Sequence, residues 1–173
     1  RVWRSIKNTK QHSGLLRFLV AKFLYEDSIQ TVVIFMGVYT QAVMGFSSAE
    51  TTQFFVMIIP AAVLGSVICG VMTDHYGPKR TLVAVIVLWL ISLSVVIATM
   101  STTVFWFVGA GVGILLGSTW TAARPLLITL APANNLGEFF GLYALSGKVA
   151  AILGPLLWSA VTFSLARFGP IVK

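Results

Sequence analysis

Four residues in the first apolar stretch of the chain could carry ionic chemistry inside a membrane. Lys22, Glu26 and Gln30 follow one another at four-residue spacing, so in a helix they share one face, and Asp27 lies beside that face. A carboxylate in an apolar segment can exchange a proton or bind a cationic group, and its charge is costly there unless something compensates it. We therefore expect this polar stripe to face protein or a water-filled cavity and to form a functional site.

A structural interpretation of the same stripe stays open. The Lys22 side chain could extend its ammonium group to the lipid headgroups and pair with Glu26, which would anchor one end of the helix. That interpretation does not account for Asp27 and Gln30. It also leaves out Gln41, which continues the polar face towards the other end of the helix and is predicted to line the cavity.

A further ionisable residue, Lys148, lies in the last apolar stretch. Counted from the cytoplasmic ends of the two stretches, it lies at a depth similar to that of Glu26 and Asp27. A carboxylate partner would keep both groups charged. We expect Asp27 to be that partner, because Glu26 already has Lys22 one turn away. The alternative is that Lys148 faces an anionic substrate.

The fourth apolar stretch carries small residues at helical spacing. Gly109, Gly113 and Gly117 recur every four residues, and such a ridge lets two helices approach closely. We interpret the ridge as packing rather than ligand contact. The polar residues that follow it, Ser118 and Thr121, are predicted to line a cavity.

Other reactive residue types are sparse and isolated. Cys69 lies alone in an apolar stretch, and His12 and His75 are each single histidines in hydrophilic segments. The sequence contains no Ser/His/Asp set, no cluster with metal-ligand spacing and no phosphate-binding glycine loop after a strand. It therefore predicts neither an enzyme nor a metal or cofactor site.

Long apolar blocks must position these residues. The chain is 57% hydrophobic and 10% charged, whereas soluble domains carry about 25% charged residues. The blocks are long enough for five membrane spans. The predicted spans cover residues 15–45, 52–72, 81–100, 104–123 and 137–163. The net charge of +7 does not indicate a nucleic-acid partner, because the cations lie at the ends of the apolar blocks, where they face the surface of a lipid bilayer.

The positions of Lys and Arg predict the orientation of the chain. They concentrate in the first residues, in the loop after the second span and at Arg124, while the loops 46–51 and 100–103 carry none. By the positive-inside rule, the N-terminus is cytoplasmic. The predicted organisation is a cytoplasmic lead-in, a helix bundle and an outer tail, at residues 1–14, 15–163 and 164–173.

The loop between the second and third spans contains a regular pattern. The pattern G-x-x-x-D-x-x-G-x-[KR]-[KR] is formed by Gly70, Asp74, Gly77, Lys79 and Arg80. Placed between membrane spans, it resembles the cytoplasmic loop motif of the major facilitator superfamily, whose members are secondary transporters. The alternative is a plain turn between two helices, with glycine for the bend and the cations held inside.

Two further segments resemble one branch of that superfamily, the autophagy-linked vacuolar amino-acid effluxers and their bacterial relatives. The first is F-L-Y-E-D-S-I-Q-T at 23–31, where the branch has F-L-Y-x-D-G-x-x-T, so Ser28 replaces a glycine. The second is F-F-G-L-Y-A-L-S-G-K at 139–148, followed by Gly154-Pro155. The resemblance implies an all-α polytopic membrane bundle: the C-terminal six-helix half of the superfamily fold, incomplete, with five spans present. It also implies a partner, the missing N-terminal half of the same protein.

The resemblance also implies a function. The chain, which begins at Arg1, is interpreted as a fragment of a secondary active transporter that moves a small organic solute by alternating access, with amino acids as the candidate solute class. Glu26, Asp27, Gln30 and Lys148 are the predicted residues for substrate binding or proton coupling. The Gly70–Arg80 loop would be a gating latch on the inner side. The protein would be a multi-pass protein of a bacterial inner membrane or of a vacuolar or other organelle membrane. The alternative is a non-transporting membrane module, such as an assembly subunit or a lipid-interacting protein.

Overall fold

The computed structural model describes residues 13–99 and 101–166, and these residues form helices joined by short connections. The helices are α1 (Ser13–Ala42), α2 (Ser48–Tyr76), α3 (Pro78–Ala98), α4 (Thr102–Leu130) and α5 (Leu136–Ala166), with one 3-10 turn at Ala133–Asn135. The described residues contain no strand, which confirms the predicted all-α polytopic class. Most of the predicted lead-in and the end of the predicted tail lie outside the described residues.

Four helical segments are long and apolar enough to cross a membrane. They are Ser48–Tyr76, Pro78–Ala98, Thr102–Leu130 and Ala133–Ser164. Helix α1 has 30 residues, which is about 45 Å at 1.5 Å per residue and exceeds the thickness of the hydrocarbon core. It is not among the four segments, because the polar stripe and Arg17 lower its hydropathy. The five predicted spans therefore correspond to five helices, and the membrane-spanning character of α1 stays a prediction.

The first of two compact units contains the described residues up to Met36 and the described residues from Leu130 onward. In it, α1 packs lengthwise against α5. The rings of Phe18 and Tyr143 stack with their centroids 6.5 Å apart. Further along the same contact, the rings of Phe35 and Trp158 lie with their centroids 5.8 Å apart. Aromatic contacts therefore join the two helices near both ends of the polar stripe.

The second unit, Gly37–Thr129, contains the last turn of α1 and helices α2, α3 and α4. Helix α2 begins with a capping box: the Ser47 hydroxyl accepts from the Glu50 backbone N–H, and the Glu50 carboxylate accepts from the Ser47 backbone N–H at 2.8 Å. Such a box satisfies two of the free backbone donors at a helix start. Behind it, the rings of Phe46, Phe54 and Phe105 pack together, with 5.0 Å between the centroids of Phe54 and Phe105.

The glycine ridge of α4, predicted to be a packing surface, lies against α2. A methyl group added to Gly113 would lie 2.8 Å from the Ala61 side chain and 2.9 Å from the Ile58 carbonyl oxygen. A methyl group on Gly117 would lie 2.8 Å from the Ser66 hydroxyl and would overlap the backbone of α2. The interpretation of the ridge as a packing surface is therefore confirmed, since only glycine allows this approach.

Helix α4 ends later than the sequence predicted. The predicted span ended at residue 123 and a loop was expected from Arg124, but α4 continues to Leu130 with Pro125 inside it. Leu126 and Leu127 are buried, and their packing holds the last turns in place. Proline is tolerated within membrane helices because neighbouring groups satisfy the freed backbone carbonyl. The predicted loop is thus reduced to a short connection that contains the 3-10 turn.

Candidate functional site

The polar stripe of α1 lies in the contact with α5. Lys22 forms an ion pair with Glu26, and the Lys22 side chain is only 1% exposed, against 16% for Glu26. The Lys22 ammonium group lies over the Tyr143 ring of α5, 4.1 Å from its centroid. A cation over an aromatic face is attracted by the ring quadrupole, more strongly when both are removed from water. The predicted Lys22–Glu26 pair is therefore present, but Lys22 is covered by protein and does not extend to the lipid headgroups.

Asp27 faces a different point of α5. Its Oδ1 atom is buried and has no hydrogen-bond partner within the described part of the chain. A methyl group added to Gly154 would lie 2.9 Å from this oxygen and 2.9 Å from the Asp27 carbonyl oxygen, and it would overlap the Thr31 hydroxyl. That hydroxyl donates to the Asp27 carbonyl at 2.8 Å. The backbone of α5 thus lies directly against Asp27.

Gly147 of α5 lies against the ion pair. A methyl group there would lie 3.0 Å from Glu26 Oε1 and 3.1 Å from Lys22 Nζ. Gly147 and Gly154 are seven residues apart, which is about two helical turns, so both belong to one face of α5. Together with Tyr143 they form the surface that receives the polar stripe. The sequence interpretation missed this surface, although the seven-residue glycine spacing was a signal that could have revealed it.

The predicted pair between Asp27 and Lys148 is wrong. Lys148 is exposed and has no ion-pair partner among residues 13–99 and 101–166. Successive helical residues are about 100° apart around the axis. Because Gly147 faces α1, the next residue points away from it. Gln30 is half-buried on α1 and Gln41 is exposed at its end.

Of the two predicted cavity-lining residues of α4, Ser118 lies at the packed face. The Ser118 hydroxyl donates to the Gly65 carbonyl of α2 at 3.0 Å, and the Ser118 side chain is buried. Cys69 of α2 lies beside it, with its thiol donating to the Ser118 carbonyl at 3.2 Å. Ser118 is therefore part of a helix contact rather than of an open surface. Thr121 is half-buried and donates to the Gly117 carbonyl within its own helix.

The predicted loop Gly70–Arg80 is almost entirely helical. Helix α2 continues through Tyr76 and α3 begins at Pro78, so Gly77 alone joins them. Gly77 has φ 84° and ψ 153°, a conformation that L-residues with a side chain rarely adopt. Its N–H donates to the Thr73 carbonyl at 3.0 Å. The Thr81 hydroxyl then donates back to the Met72 carbonyl at 3.2 Å, which ties the two helix ends together.

The charged residues of this helical turn lie at the surface. Asp74, Lys79 and Arg80 are all exposed. None of them forms an ion pair within the described residues. The structure thus places a carboxylate near the end of α2 and two cations in the first turn of α3, with their charged groups open to other partners. The described residues also contain no group of three or more His, Cys, Asp and Glu that could hold a metal ion.

Comparison with known proteins assigns these features to a family. A family model described as "Vacuole effluxer Atg22 like" matches residues 1–164. An uncharacterized MFS-type transporter, YxiO, of Bacillus subtilis is 32% identical over 166 residues, which cover 95% of this chain and 38% of that protein. Autophagy-related protein 22 of Coccidioides immitis is 27% identical over 183 residues, covering 97% of this chain and 30% of that protein.

The matches define how far the likeness extends. An uncharacterized protein of Aquifex aeolicus is 24% identical over 159 residues, which cover 92% of this chain and 42% of that protein. This chain therefore spans less than half the length of these curated relatives. No solved structure matches the chain significantly. Since the family model covers nearly all of its residues, the chain belongs to the Atg22-like vacuole effluxer family, a branch of MFS-type transporters that has both fungal and bacterial members.

Proposed function

We propose that this chain forms part of a secondary active transporter that moves a small organic solute, with amino acids as the first class to test. Membership of a transporter family supports a transport role, and relatives carry the names of an effluxer and of an MFS-type transporter. Transport proceeds by alternating access, in which this bundle rocks against a second half of the same protein. The long apolar helices α2 to α5 make the chain an integral membrane protein, and the Lys and Arg distribution favours a cytoplasmic N-terminus.

The observation that carries the proposal is the buried charged contact between α1 and α5. Lys22, Glu26 and Asp27 lie within an otherwise apolar bundle, against the glycine face of α5. Ionisable residues at such positions are costly and are found where membrane proteins move ions or bind charged solutes. A membrane protein with only a scaffolding role has no need of a carboxylate oxygen that is buried without a partner.

Asp27 and Glu26 have separate roles in this proposal. Glu26 is neutralised by Lys22 and holds the α1–α5 contact together. Asp27 has no such counter-charge among the described residues, so it is the candidate for exchanging a proton or binding a cationic group of the solute. Gln30, one turn beyond Glu26, offers an amide for hydrogen bonds to the solute.

Lys148 and the turn between α2 and α3 complete the proposal. An exposed ammonium group on an apolar helix is costly towards lipid. We therefore place Lys148 against an anionic group of the solute or against the second half of the protein. Asp74, Lys79 and Arg80 act as a latch on the inner side: their surface charges engage partners that separate when the inner gate opens. Gln41 and Thr121 stay candidates for lining the cavity.

The test is solute uptake by the protein that contains this chain, reconstituted in proteoliposomes. A mixture of radiolabelled amino acids is offered with and without an imposed pH gradient. We expect uptake that the gradient stimulates, and we expect Asp27→Asn to abolish the stimulation. Asp74→Asn changes a carboxylate of the latch outside the α1–α5 contact, so it should slow uptake and still leave it stimulated by the gradient. Uptake by Asp27→Asn that the gradient stimulates as in the wild type would refute the coupling role of Asp27, and absence of uptake by the wild type would instead favour a non-transporting membrane module.

A further inference from the structure

Gly154 occupies a position that no residue with a side chain can take without moving its neighbours. An added methyl group would lie within 3 Å of Asp27 Oδ1, the Asp27 carbonyl oxygen and the Thr31 hydroxyl oxygen together. Gly154 is itself buried. Three oxygen atoms of α1 thus converge on a single point of the α5 backbone.

Two of these oxygen atoms cannot swing aside as the end of a long side chain can. One is a backbone atom, and the Thr31 hydroxyl is held by its hydrogen bond of 2.8 Å to that same backbone carbonyl. Gly147 is different, because an added methyl group there would meet the ends of the longer Glu26 and Lys22 side chains at 3.0 and 3.1 Å. The close approach at Gly154 therefore fixes Asp27 more strictly than the approach at Gly147 fixes the ion pair.

Glycine is not needed along the whole of α5. Gly137 and Gly141 are exposed, and a methyl group on either would meet no atom within 4 Å. The requirement at residue 154 thus comes from what lies opposite it on α1. What lies opposite is a carboxylate oxygen that is buried and has no hydrogen-bond donor in the described part of the chain.

We propose that Gly154 is the positioning residue of Asp27: the α5 backbone at Gly154 covers Oδ1, and this oxygen becomes accessible only when α5 moves away from α1 at this point. The proposal deepens the coupling role proposed for Asp27 and rests on that role for its functional meaning. The other ionisable groups of the α1–α5 contact include Lys22 and Glu26 on α1, which pair with each other, and Tyr143 on α5, whose ring covers Lys22. Tyr25 of α1 also interacts with Tyr143. Lys148 of α5 is exposed and does not face Asp27.

The test is labelling of carboxyl groups by dicyclohexylcarbodiimide, an apolar reagent that modifies protonated carboxylic acids it can reach. The protein that contains this chain is labelled in detergent micelles across a series of pH values, and the adducts at Asp27 and Glu26 are measured separately by peptide mass spectrometry. We compare the wild type with Gly154→Ala, and Gly141→Ala is the matched control on an open face of the same helix. Labelling needs no knowledge of the solute, so it stands apart from any transport assay.

For Gly154→Ala we expect labelling of Asp27 to rise several-fold and its pH profile to shift, while labelling of Glu26 stays as in the wild type. Gly141→Ala should match the wild type at both residues. If Gly154 served only to pack the helices, Gly154→Ala would lower the yield of folded protein without changing the labelling of Asp27 relative to that of Glu26. The same rate and pH profile at Asp27 in Gly154→Ala and in the wild type would overturn the proposal.

A second variant keeps the test decisive if Gly154→Ala does not fold. Thr31→Ala removes the oxygen that the added methyl group would overlap, and the double variant still places the methyl group 2.9 Å from Asp27 Oδ1. We expect faster labelling of Asp27 in the double variant than in Thr31→Ala alone, and equal labelling in the two would overturn the proposal. Altered labelling together with uptake that ignores the pH gradient would contradict the coupling role and leave the positioning role intact.

Discussion

Removing one partner of the Lys22–Glu26 pair should strongly destabilise the α1–α5 contact. In Lys22→Met, the Glu26 carboxylate keeps its place beside Gly147 but loses its counter-charge. In Glu26→Gln, an ammonium group that is 1% exposed loses its carboxylate. Breaking a buried ion pair in this way costs about 3–5 kcal/mol in soluble proteins, because one charge is left uncompensated.

The surroundings of the charge that is left behind decide where in the range of about 3–5 kcal/mol the cost of each substitution should fall. Glu26 keeps 16% exposure, so its stranded carboxylate retains some access to water. The stranded Lys22 ammonium keeps the Tyr143 ring, a contact worth roughly 2 kcal/mol when desolvated. Both single changes should therefore lie near the lower end, at about 3 kcal/mol. The double variant has no buried charge at either position, so it should lose less stability than the two single variants lose together.

The assay is the free energy of unfolding in mixed micelles for the wild type, both single variants and the double variant. Lys148→Met is the matched control, because Lys148 is an exposed cation with no ion-pair partner in the described part of the chain. It should change stability little and should show no coupling with Glu26→Gln. Additive effects of Lys22→Met and Glu26→Gln would refute the reasoning, since they would mean that the pair does not hold the contact.

Three further predictions concern packing, the helical turn and orientation. Gly113→Leu should prevent the close packing of α2 against α4 and lower the yield of folded protein. Gly111→Leu should not, because a methyl group added to Gly111 meets nothing within 4 Å. The amount of monodisperse protein recovered after purification measures both effects. Gly77→Ala forces a side-chain residue into a backbone conformation with φ 84° and ψ 153° that is essentially restricted to glycine, and it should cost about 1–3 kcal/mol of stability, measured by denaturant unfolding. With Cys69 replaced, a cysteine introduced at Ser48 should react with an impermeant thiol reagent on intact cells. A cysteine introduced at His75 should not react. The reverse labelling pattern would mean that the chain has the opposite orientation.

The helices and their packing glycines could be predicted because they depend on local sequence. Apolar blocks of this length specify membrane helices, and the four-residue spacing of Gly109, Gly113 and Gly117 marks one face of α4 whatever that face meets. The Lys22–Glu26 pair could also be predicted, since both residues lie on one helix, four residues apart. In each case the chain alone determines which side chains are neighbours.

Contacts between helices could not be predicted in the same way. Lys148 and Asp27 lie at similar depth, but the rotation of α5 about its axis decides which of its residues faces α1, and that rotation follows from Gly147 and Gly154. The turn at Gly77 was expected to be a longer loop because its charges look like loop residues, yet one glycine with φ 84° suffices to join two helices. Similarly, the end of α4 depends on the burial of the residues after Pro125 rather than on the proline itself.

The most direct test of the central claim, that the α1–α5 contact couples transport to ion movement through Asp27, is the proton flux that the solute itself drives. The protein containing this chain is reconstituted with a pH-sensitive dye inside the vesicles, and a transported amino acid is added without an imposed gradient. If Asp27 carries the coupling, the wild type should change the internal pH on addition of the amino acid, and Asp27→Asn should take up or exchange the amino acid with no pH change. A pH change of the same size in Asp27→Asn, at equal amounts of inserted protein, would contradict the claim.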